Sequence, residues 1–368
     1  MLALVLTTDI ALLLVAALLA ITPYVTRRTE SFGVSIPEGE YGNEEFRKMR
    51  QGFAALAALA GVLSAAAMTF LLLKFRESVA PILIVMSLEL IVLFLIYYYY
   101  HRKMAEYKRR ASWKDQVSTQ INVPLTDIKR ASKKMASPAW FALYAVVIGT
   151  SLAVTLYLYP SLPDMIPKHF DLAGNVDRYA QKSMSAAMFM TGMQVFLAVV
   201  FWFVYVITLR ARRMIDVEKP TESAEREMVF RAAMSRFAVF AGLLMVAVFS
   251  LMNFAVLGLF PVAVMSFATI GASLLIIAWV VVIAFRYGQG GSRIDPGREK
   301  GTMMNIRDDD SYWKLGVIYF NREDPSLFVE KRFGVGFTVN LARPLVWGIT
   351  IALLAVCAAV MVLSFNLK

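Results

Sequence analysis

The stretch that decides the fold is 159–179, which reads YPSLPDMIPKHFDLAGNVDRY. Long apolar runs lie on both sides of it, at about 139–158 and 183–209. Prolines at 160, 163 and 167 fix φ and favour extended backbone at each preceding residue, so a helix cannot continue here. Gly174-Asn175 supplies a turn with positive φ. The sequence therefore predicts a short, folded polar connector between two membrane-spanning helices.

The same connector resembles a known loop. Tyr-Pro-x-Leu-Pro-x-x-Ile-Pro-x-His-Phe at 159–170, followed by Gly174, Asp177 and Lys182, is similar to the loop motif of the SdpI-like family of bacterial membrane proteins. The resemblance covers about 159–182 and the two flanking spans. It implies a multi-pass membrane protein. The namesake member protects a cell against a secreted peptide toxin, so the resemblance implies an immunity-like role.

Composition indicates an integral membrane protein. Of the 368 residues, 58% are apolar and the mean hydropathy is +0.59, whereas soluble domains contain roughly 45–50% apolar residues. The charged residues lie between the apolar runs rather than within them. Cys357 is the single cysteine, which excludes an intrachain disulfide. No cofactor is expected from any of these features.

Eight apolar runs are long enough to cross a bilayer core of about 30 Å as helices of roughly 20 residues. They are approximately 2–21, 53–73, 79–100, 139–159, 184–209, 237–257, 261–285 and 345–365. The predicted fold class is an all-α integral membrane protein with about eight transmembrane helices and a small cytoplasmic β-hairpin unit before the last helix. The predicted domains are 1–138, 139–209, 210–285, 286–344 and 345–368.

The distribution of positive charge predicts the orientation, because cytoplasmic connections are rich in Lys and Arg. With the amino terminus outside, only six of the 38 Lys and Arg residues lie outside, namely Lys74, Arg76, Lys168, Arg178, Lys182 and Lys368. Both termini and the 159–182 connector are therefore expected outside the bacterial cytoplasmic membrane. The net charge of +11 then faces the anionic lipids of the inner leaflet and does not indicate nucleic acid.

The connection before the last span is the one candidate for a folded cytoplasmic piece. Residues 312–320 read as a strand, 321–325 as a turn, and 327–329 and 333–340 as two more strands. Residues 308–344 also resemble a small domain of unknown function that accompanies SdpI-like loops. About 35 residues are too few for an independent core, so we expect this unit to share a small sheet with 32–34 and to offer a surface to a cytoplasmic protein partner.

Motif searches give no catalytic signature: the sequence has no His-Glu-x-x-His, Gly-x-Ser-x-Gly, P-loop or dinucleotide fingerprint. We therefore predict that the protein is not an enzyme. Three interpretations of the connector stay open. His169 with Asp171 or Asp177 could bind a metal, these groups could only make local hydrogen bonds, or the connector could be a lid that meets an external ligand. The candidate ligand-binding residues are Pro163, Pro167, Lys168, His169, Phe170, Gly174, Asp177 and Lys182.

Four polar residues fall inside the predicted spans: Asp9, Glu89, Gln194 and Asn253. An ionised carboxylate near the middle of a span, where Glu89 lies, costs several kcal/mol, and Asp9 lies in the outer half of its span. Both are candidates for a proton or cation relay, or for a polar cavity open to the outside. Their alternative role is interhelical hydrogen bonding, worth about 0.6 kcal/mol per contact.

These observations predict a membrane protein that binds an external peptide or lipid at its outer loop, in an immunity- or sensor-like role connected with signalling. The first alternative is a secondary transporter that uses the intramembrane carboxylates. The second is a membrane metal-dependent hydrolase centred on His169.

Overall fold

A computed structural model describes residues 2–75, 80–111, 135–170, 176–212, 220–294 and 309–366. Within these ranges the chain forms eight long helices. They are α1 (Leu2–Val25), α2 (Glu44–Lys74), α3 (Ala80–Ala111), α4 (Phe141–Leu158), α5 (Met184–Arg210), α6 (Pro220–Val256), α7 (Val262–Tyr287) and α8 (Pro344–Asn366). The prediction of an all-α membrane protein is confirmed.

Seven of the helices, α1 to α7, are long and apolar enough to cross a membrane, counted over the described residues. Within the described residues, the Pro344–Val356 segment of α8 is apolar but shorter than these seven helices. Helices α2, α3 and α6 extend well beyond the predicted spans. Hydropathy marks only the apolar segment, whereas Phe46, Met49 and Phe53 continue one buried face of α2 through a polar sequence.

The described strands form four separate antiparallel pairs. They are β1 (Glu30–Ser31) with β2 (Val34–Ser35), β3 (Met165–Phe170) with β4 (Val176–Gln181), β5 (Trp313–Lys314) with β6 (Ile318–Tyr319), and β7 (Phe328–Glu330) with β8 (Phe337–Val339). Two predictions were wrong. Residues 312–320 form a hairpin rather than one strand, because Leu315 and Gly316 adopt positive φ and reverse the chain. The expected sheet shared by 32–34 and the later strands does not form.

The chain divides into two compact units. Unit 1 contains 1–125, 212–227 and 284–343, and unit 2 contains 126–211, 228–283 and 344–368. Unit 1 therefore combines α1, α2 and α3 with the strands β1, β2 and β5 to β8. Unit 2 contains α4, α5, the β3–β4 hairpin, most of α6 and α7, and α8.

Three Φ-Gly-Val turns, in which Φ is Phe or Leu, meet at Tyr97 of α3 in unit 1. These are Phe32-Gly33-Val34, Leu315-Gly316-Val317 and Phe333-Gly334-Val335. The Tyr97 hydroxyl lies 3.0 Å from the Leu315 carbonyl oxygen and 3.3 Å from that of Phe32. The Phe333 ring lies 4.7 Å from the Tyr97 ring. Tyr97 thus connects the segments that were predicted to share a sheet. It does so through side-chain contacts and not through strand pairing.

His101, one turn further along α3, fixes the first of these turns. Its Nδ1 lies 2.8 Å from the Phe32 carbonyl oxygen, and a carbonyl can only accept, so Nδ1 carries the proton in this contact. Phe32 and Leu315 have φ values of 48° and 55°. Bulky residues rarely adopt positive φ, so the contacts to α3 hold two strained turns in place.

In unit 2, hydrogen bonds between helices set their directions. The Tyr144 hydroxyl of α4 donates to the Val239 carbonyl oxygen of α6. The guanidinium of Arg231 on α6, 1% exposed, donates to the carbonyl oxygens of Thr208 (3.0 Å) and Ala211 (2.8 Å) at the end of α5. Further along, Asn253 of α6 donates to Thr155 of α4. Gln194 of α5 donates to Ser250 of α6. Helix α6 therefore runs parallel to α4 and antiparallel to α5.

Gly33→Ala tests how closely the turns approach one another. Gly33 has a φ of 78°, and a Cβ there would lie 2.5 Å from the Gly316 carbonyl oxygen. Positive φ alone costs a non-glycine residue about 1–2 kcal/mol, and the overlap adds to this. We expect a clear loss in the melting temperature of the detergent-purified protein.

Gly39→Ala is the matched control, because nothing lies within 4 Å of a Cβ at Gly39. We expect a change within about 0.5 kcal/mol for this exposed position. Equal destabilisation by both substitutions would contradict the close packing of the turns.

Candidate functional site

The β3–β4 hairpin is the structure that the 159–182 connector adopts. Helix α4 ends at Leu158, a short 3-10 turn covers Tyr159–Ser161, and β3 starts at Met165. The prolines end the helix as expected, and β4 leads through Ser183 into α5. The Ser183 hydroxyl accepts a hydrogen bond from the Ala186 N–H (3.2 Å) and caps that helix. The β3–β4 pair thus lies between two membrane-spanning helices.

The two faces of the hairpin differ. Ile166 and Ala180 are paired across the strands and each is 2% exposed. Met165 and Tyr179, which project to the opposite face, are 49% and 50% exposed. Because side chains alternate along a strand, one face anchors the hairpin and the other presents large apolar side chains to the surroundings.

Lys182 acts as a clamp at the base of the hairpin. Its ammonium donates to the carbonyl oxygens of Leu162 (2.7 Å) and Pro160 (3.0 Å), and lies 5.4 Å from the centre of the Tyr159 ring. Its backbone N–H donates to the Asp164 carbonyl oxygen at 2.7 Å. This predicted ligand-binding residue therefore holds the hairpin against the end of α4.

The other candidate residues are distributed as follows. Pro163 is exposed, and Pro167, Lys168 and Phe170 are half-buried in or beside β3. The backbones of His169 and Asp177 belong to β3 and β4, where His169 pairs with Arg178, but their side chains lie outside the described part. Asp171 and Gly174 also lie outside the described residues. Among the residues that the structure describes, no group of three His, Cys, Asp or Glu could hold a metal ion.

The two intramembrane carboxylates lie in unit 1. Asp9 Oδ2 accepts a hydrogen bond of 2.6 Å from the Thr69 hydroxyl of α2. Glu89 is 3% exposed, and its Oε1 would be 3.9 Å from a Cβ at Gly61. Asp9 Oδ1 and Glu89 Oε1 are buried without a hydrogen-bond partner among the described residues. Both carboxylates thus face protein rather than lipid.

Sequence reasoning missed a buried charge cluster in unit 1. Arg332, 1% exposed, forms ion pairs with Asp309 and Asp310 and donates to the Gly33 carbonyl oxygen at 3.3 Å. Asp310 also accepts from the Lys108 ammonium of α3 at 2.8 Å. The cluster therefore joins the later strands of unit 1 to α3 and to the β1–β2 hairpin.

A second group of charges lies beside it. Arg27, just after α1, forms an ion pair with Glu330 of β7. The Gln289 amide donates to Glu330 Oε2 at 3.2 Å and to the Gly336 carbonyl oxygen at 3.0 Å, and accepts from the Gly336 N–H at 2.7 Å. The signal in the sequence was a run of acidic residues at 308–310 and basic residues at 331–332 next to predicted strands, but it does not show which charges are buried.

Glu30 of β1 lies within this charged region and is 7% exposed. Burial raises the pKa of its carboxyl from an ordinary 4.5 to about 7. Arg332 and Arg27 act in the opposite direction, and Glu330 and Asp310 add to the increase. Glu30 is therefore protonated in the folded protein at pH values where it would be ionised in the unfolded chain.

Two short parts of the chain match known families. Residues 146–195, which include the β3–β4 hairpin, match a domain of unknown function (DUF1648), and residues 322–347, which include β7 and β8, match a family of unknown function (DUF5808). No curated protein and no solved structure matches the chain. Both matches fall on segments that the sequence singled out, and neither assigns an activity.

Glu30→Gln tests the buried carboxyl. The folded state holds a proton that the unfolded state loses between about pH 4.5 and 7, so stability falls as pH rises through this window. The full loss is about 3 kcal/mol, since one pKa unit corresponds to about 1.4 kcal/mol. We expect Glu30→Gln to flatten the decline in melting temperature between pH 5 and 8.

Glu45→Gln, an exposed carboxyl in the first turn of α2, serves as the control and should keep the wild-type slope. A wild-type slope in Glu30→Gln would show that Glu30 is not the group that titrates.

Proposed function

We propose that the protein is a multi-pass membrane receptor of the immunity or sensor type, which binds an extended external peptide at the β3–β4 hairpin. The proposal depends on one observation: one face of the hairpin is buried and anchored, and the opposite face exposes large apolar side chains. Ile166, Ala180 and Lys182 hold it, while Met165 and Tyr179 are half-exposed. The proposal assigns no catalytic step.

A peptide fits this hairpin better than a lipid because the strands have unpaired edges. Within the described residues, β3 and β4 pair only with each other. Pro167 lies in β3 and lacks an N–H, whereas β4 (Val176–Gln181) contains no proline. An extended peptide that adds beside β4 could form main-chain hydrogen bonds while Tyr179 contacts its side chains. The resemblance of 159–182 to the SdpI-like loop supports a secreted peptide as the ligand.

The later strands of unit 1 support a protein partner at 308–344. Leu315, Ile318 and Phe320 of the β5–β6 hairpin are each close to 40% exposed. Large apolar side chains that remain exposed close together in the sequence favour protein association. If the positive-inside orientation holds, this surface faces the cytoplasm and gives a receptor its intracellular contact.

Photo-crosslinking in living cells tests the peptide site. We would replace Tyr179 with p-benzoylphenylalanine, irradiate the cells and identify the crosslinked species by mass spectrometry. We expect a peptide adduct that forms only after irradiation. The same replacement at Tyr157, which is 83% exposed on α4, should give no such adduct.

Adducts with lipid at both positions, and with peptide at neither, would contradict the peptide assignment. A peptide adduct of equal yield at both positions would show that the hairpin face is not the site.

A secondary transporter is the second candidate, favoured by the buried carboxylates of Asp9 and Glu89. We would measure proton flux with an entrapped pH dye in proteoliposomes after an acid jump. A proton-coupled transporter should lose flux in Glu89→Gln and keep it in Glu45→Gln. A peptide receptor should show no flux above empty liposomes, while Glu89→Gln keeps the Tyr179 crosslink.

A further inference from the structure

A buried polar seam crosses unit 2 between α4, α5 and α6. It is built from two polar residues on each helix, spaced so that each pair lies on one face. They are Ser151 and Thr155 on α4, Thr191 and Gln194 on α5, and Ser250 and Asn253 on α6. All six are buried, and Ser151, Thr155, Gln194 and Asn253 are 0% exposed.

The amide N–H groups of the seam are all directed at oxygen atoms. Asn253 Nδ2 donates to Thr155 Oγ1 at 2.8 Å and to Ser151 Oγ at 3.0 Å. Gln194 Nε2 donates to Ser250 Oγ at 2.7 Å. The hydroxyls of Thr155 and Ser250 in turn donate to carbonyl oxygens of their own helices. Both amide nitrogens of the seam therefore have acceptors.

Three oxygen atoms are left over. Asn253 Oδ1, Gln194 Oε1 and Thr191 Oγ1 are buried and have no hydrogen-bond partner among the described residues. Thr191 differs from Thr150, Thr155 and Thr208, whose hydroxyls donate to the carbonyl four residues earlier. A buried polar atom without a partner costs several kcal/mol inside a bilayer.

Helix geometry places these oxygens in two adjacent layers of the helix bundle. Helices α5 and α6 are antiparallel, and Gln194 is bonded to Ser250. Along α5, Thr191 lies three residues closer to the hairpin than Gln194. Along α6, Asn253 lies three residues closer to the hairpin than Ser250. Because three residues make nearly one turn, Thr191 and Asn253 face each other one layer closer to the β3–β4 hairpin.

The chemistry of this oxygen set favours a cation of single charge. Oxygen ligands suit hard cations, but the sequence places no Asp or Glu in α4 or α5, nor in α6 beyond residue 227. A divalent ion would keep both charges in the membrane, and the cost of burying an ion rises with the square of its charge. Thr155 and Asn253 are three residues from the ends of α4 and α6, whose partial negative charges favour a cation.

We propose that the seam is a binding site for a monovalent alkali cation, held by the oxygens of Asn253, Thr191 and Gln194. Neutral side-chain oxygens replace part of the water shell of the ion, and the ion satisfies three atoms that otherwise lack partners. The site lies below the hairpin but does not depend on what the hairpin binds. The proposal predicts that the stability of the protein depends on sodium or potassium.

Sodium is the probe for the test. We would measure binding of ²²Na⁺ to the detergent-purified full chain, and its melting temperature in NaCl and in KCl against choline chloride at equal ionic strength. We expect saturable binding near one ion per chain and a rise in melting temperature in NaCl or KCl over choline chloride. Thr191→Val, which removes one oxygen at nearly constant shape, should weaken binding at least tenfold, whereas Thr191→Ser should retain it.

Two further variants keep the test decisive. Asn253→Asp places a carboxylate at the site and should tighten Na⁺ binding at least tenfold at high pH, even if Thr191→Val folds poorly. Thr150→Val alters an exposed threonine of α4 and should leave binding unchanged. Absence of saturable ²²Na⁺ binding together with equal melting temperatures in NaCl, KCl and choline chloride, or wild-type affinity in a folded Thr191→Val, would overturn the proposal.

Discussion

Tyr97 of α3 is the residue on which the non-membrane part of unit 1 depends. Its hydroxyl contacts the carbonyl oxygens of two turns whose bulky residues, Phe32 and Leu315, adopt positive φ. A two-stranded hairpin is marginally stable in water, and the strands β1, β2, β5 and β6 are only two residues long. Such short strands persist because a rigid helix supplies the packing surface and the hydrogen-bond donors that the strands cannot give one another.

The packing of these turns against α3 also buries several charged side chains. Arg332 is enclosed by Asp309, Asp310, the Gly33 carbonyl and the Trp313 ring. A buried ion pair gains little net stability over an apolar contact, but removal of one partner is strongly destabilising. The charges therefore determine where the strands attach to α3, and they add little to the free energy of folding. Glu30 differs from these ion-paired groups. Its Oε2 has no hydrogen-bond partner among the described residues, and burial raises the pKa of its carboxyl.

Unit 2 is organised on neutral polar groups instead. Tyr144 and five of the six residues of the seam connect α4, α5 and α6 through hydrogen bonds between neutral groups, and the Arg231 guanidinium adds a charged donor. In a bilayer, apolar surfaces give little drive for helix association, so packing and interhelical hydrogen bonds decide which faces meet. A membrane interior has no water that could bond to the three unpartnered oxygens of the seam. These oxygens therefore indicate a place where a ligand could bind.

The sequence by itself determined the helices, since apolar runs of sufficient length have no other stable conformation in a bilayer. It also located the non-helical connector through Pro160, Pro163 and Pro167, because proline acts on its immediate neighbours. Tertiary structure alone decided that the connector is a hairpin, that Lys182 clamps it and that 312–320 reverses at Leu315. It also decided which of many similar Arg, Asp and Glu residues are buried. These outcomes depend on partners up to about 300 residues away, such as Arg332 with Gly33, and no local pattern encodes such a distance.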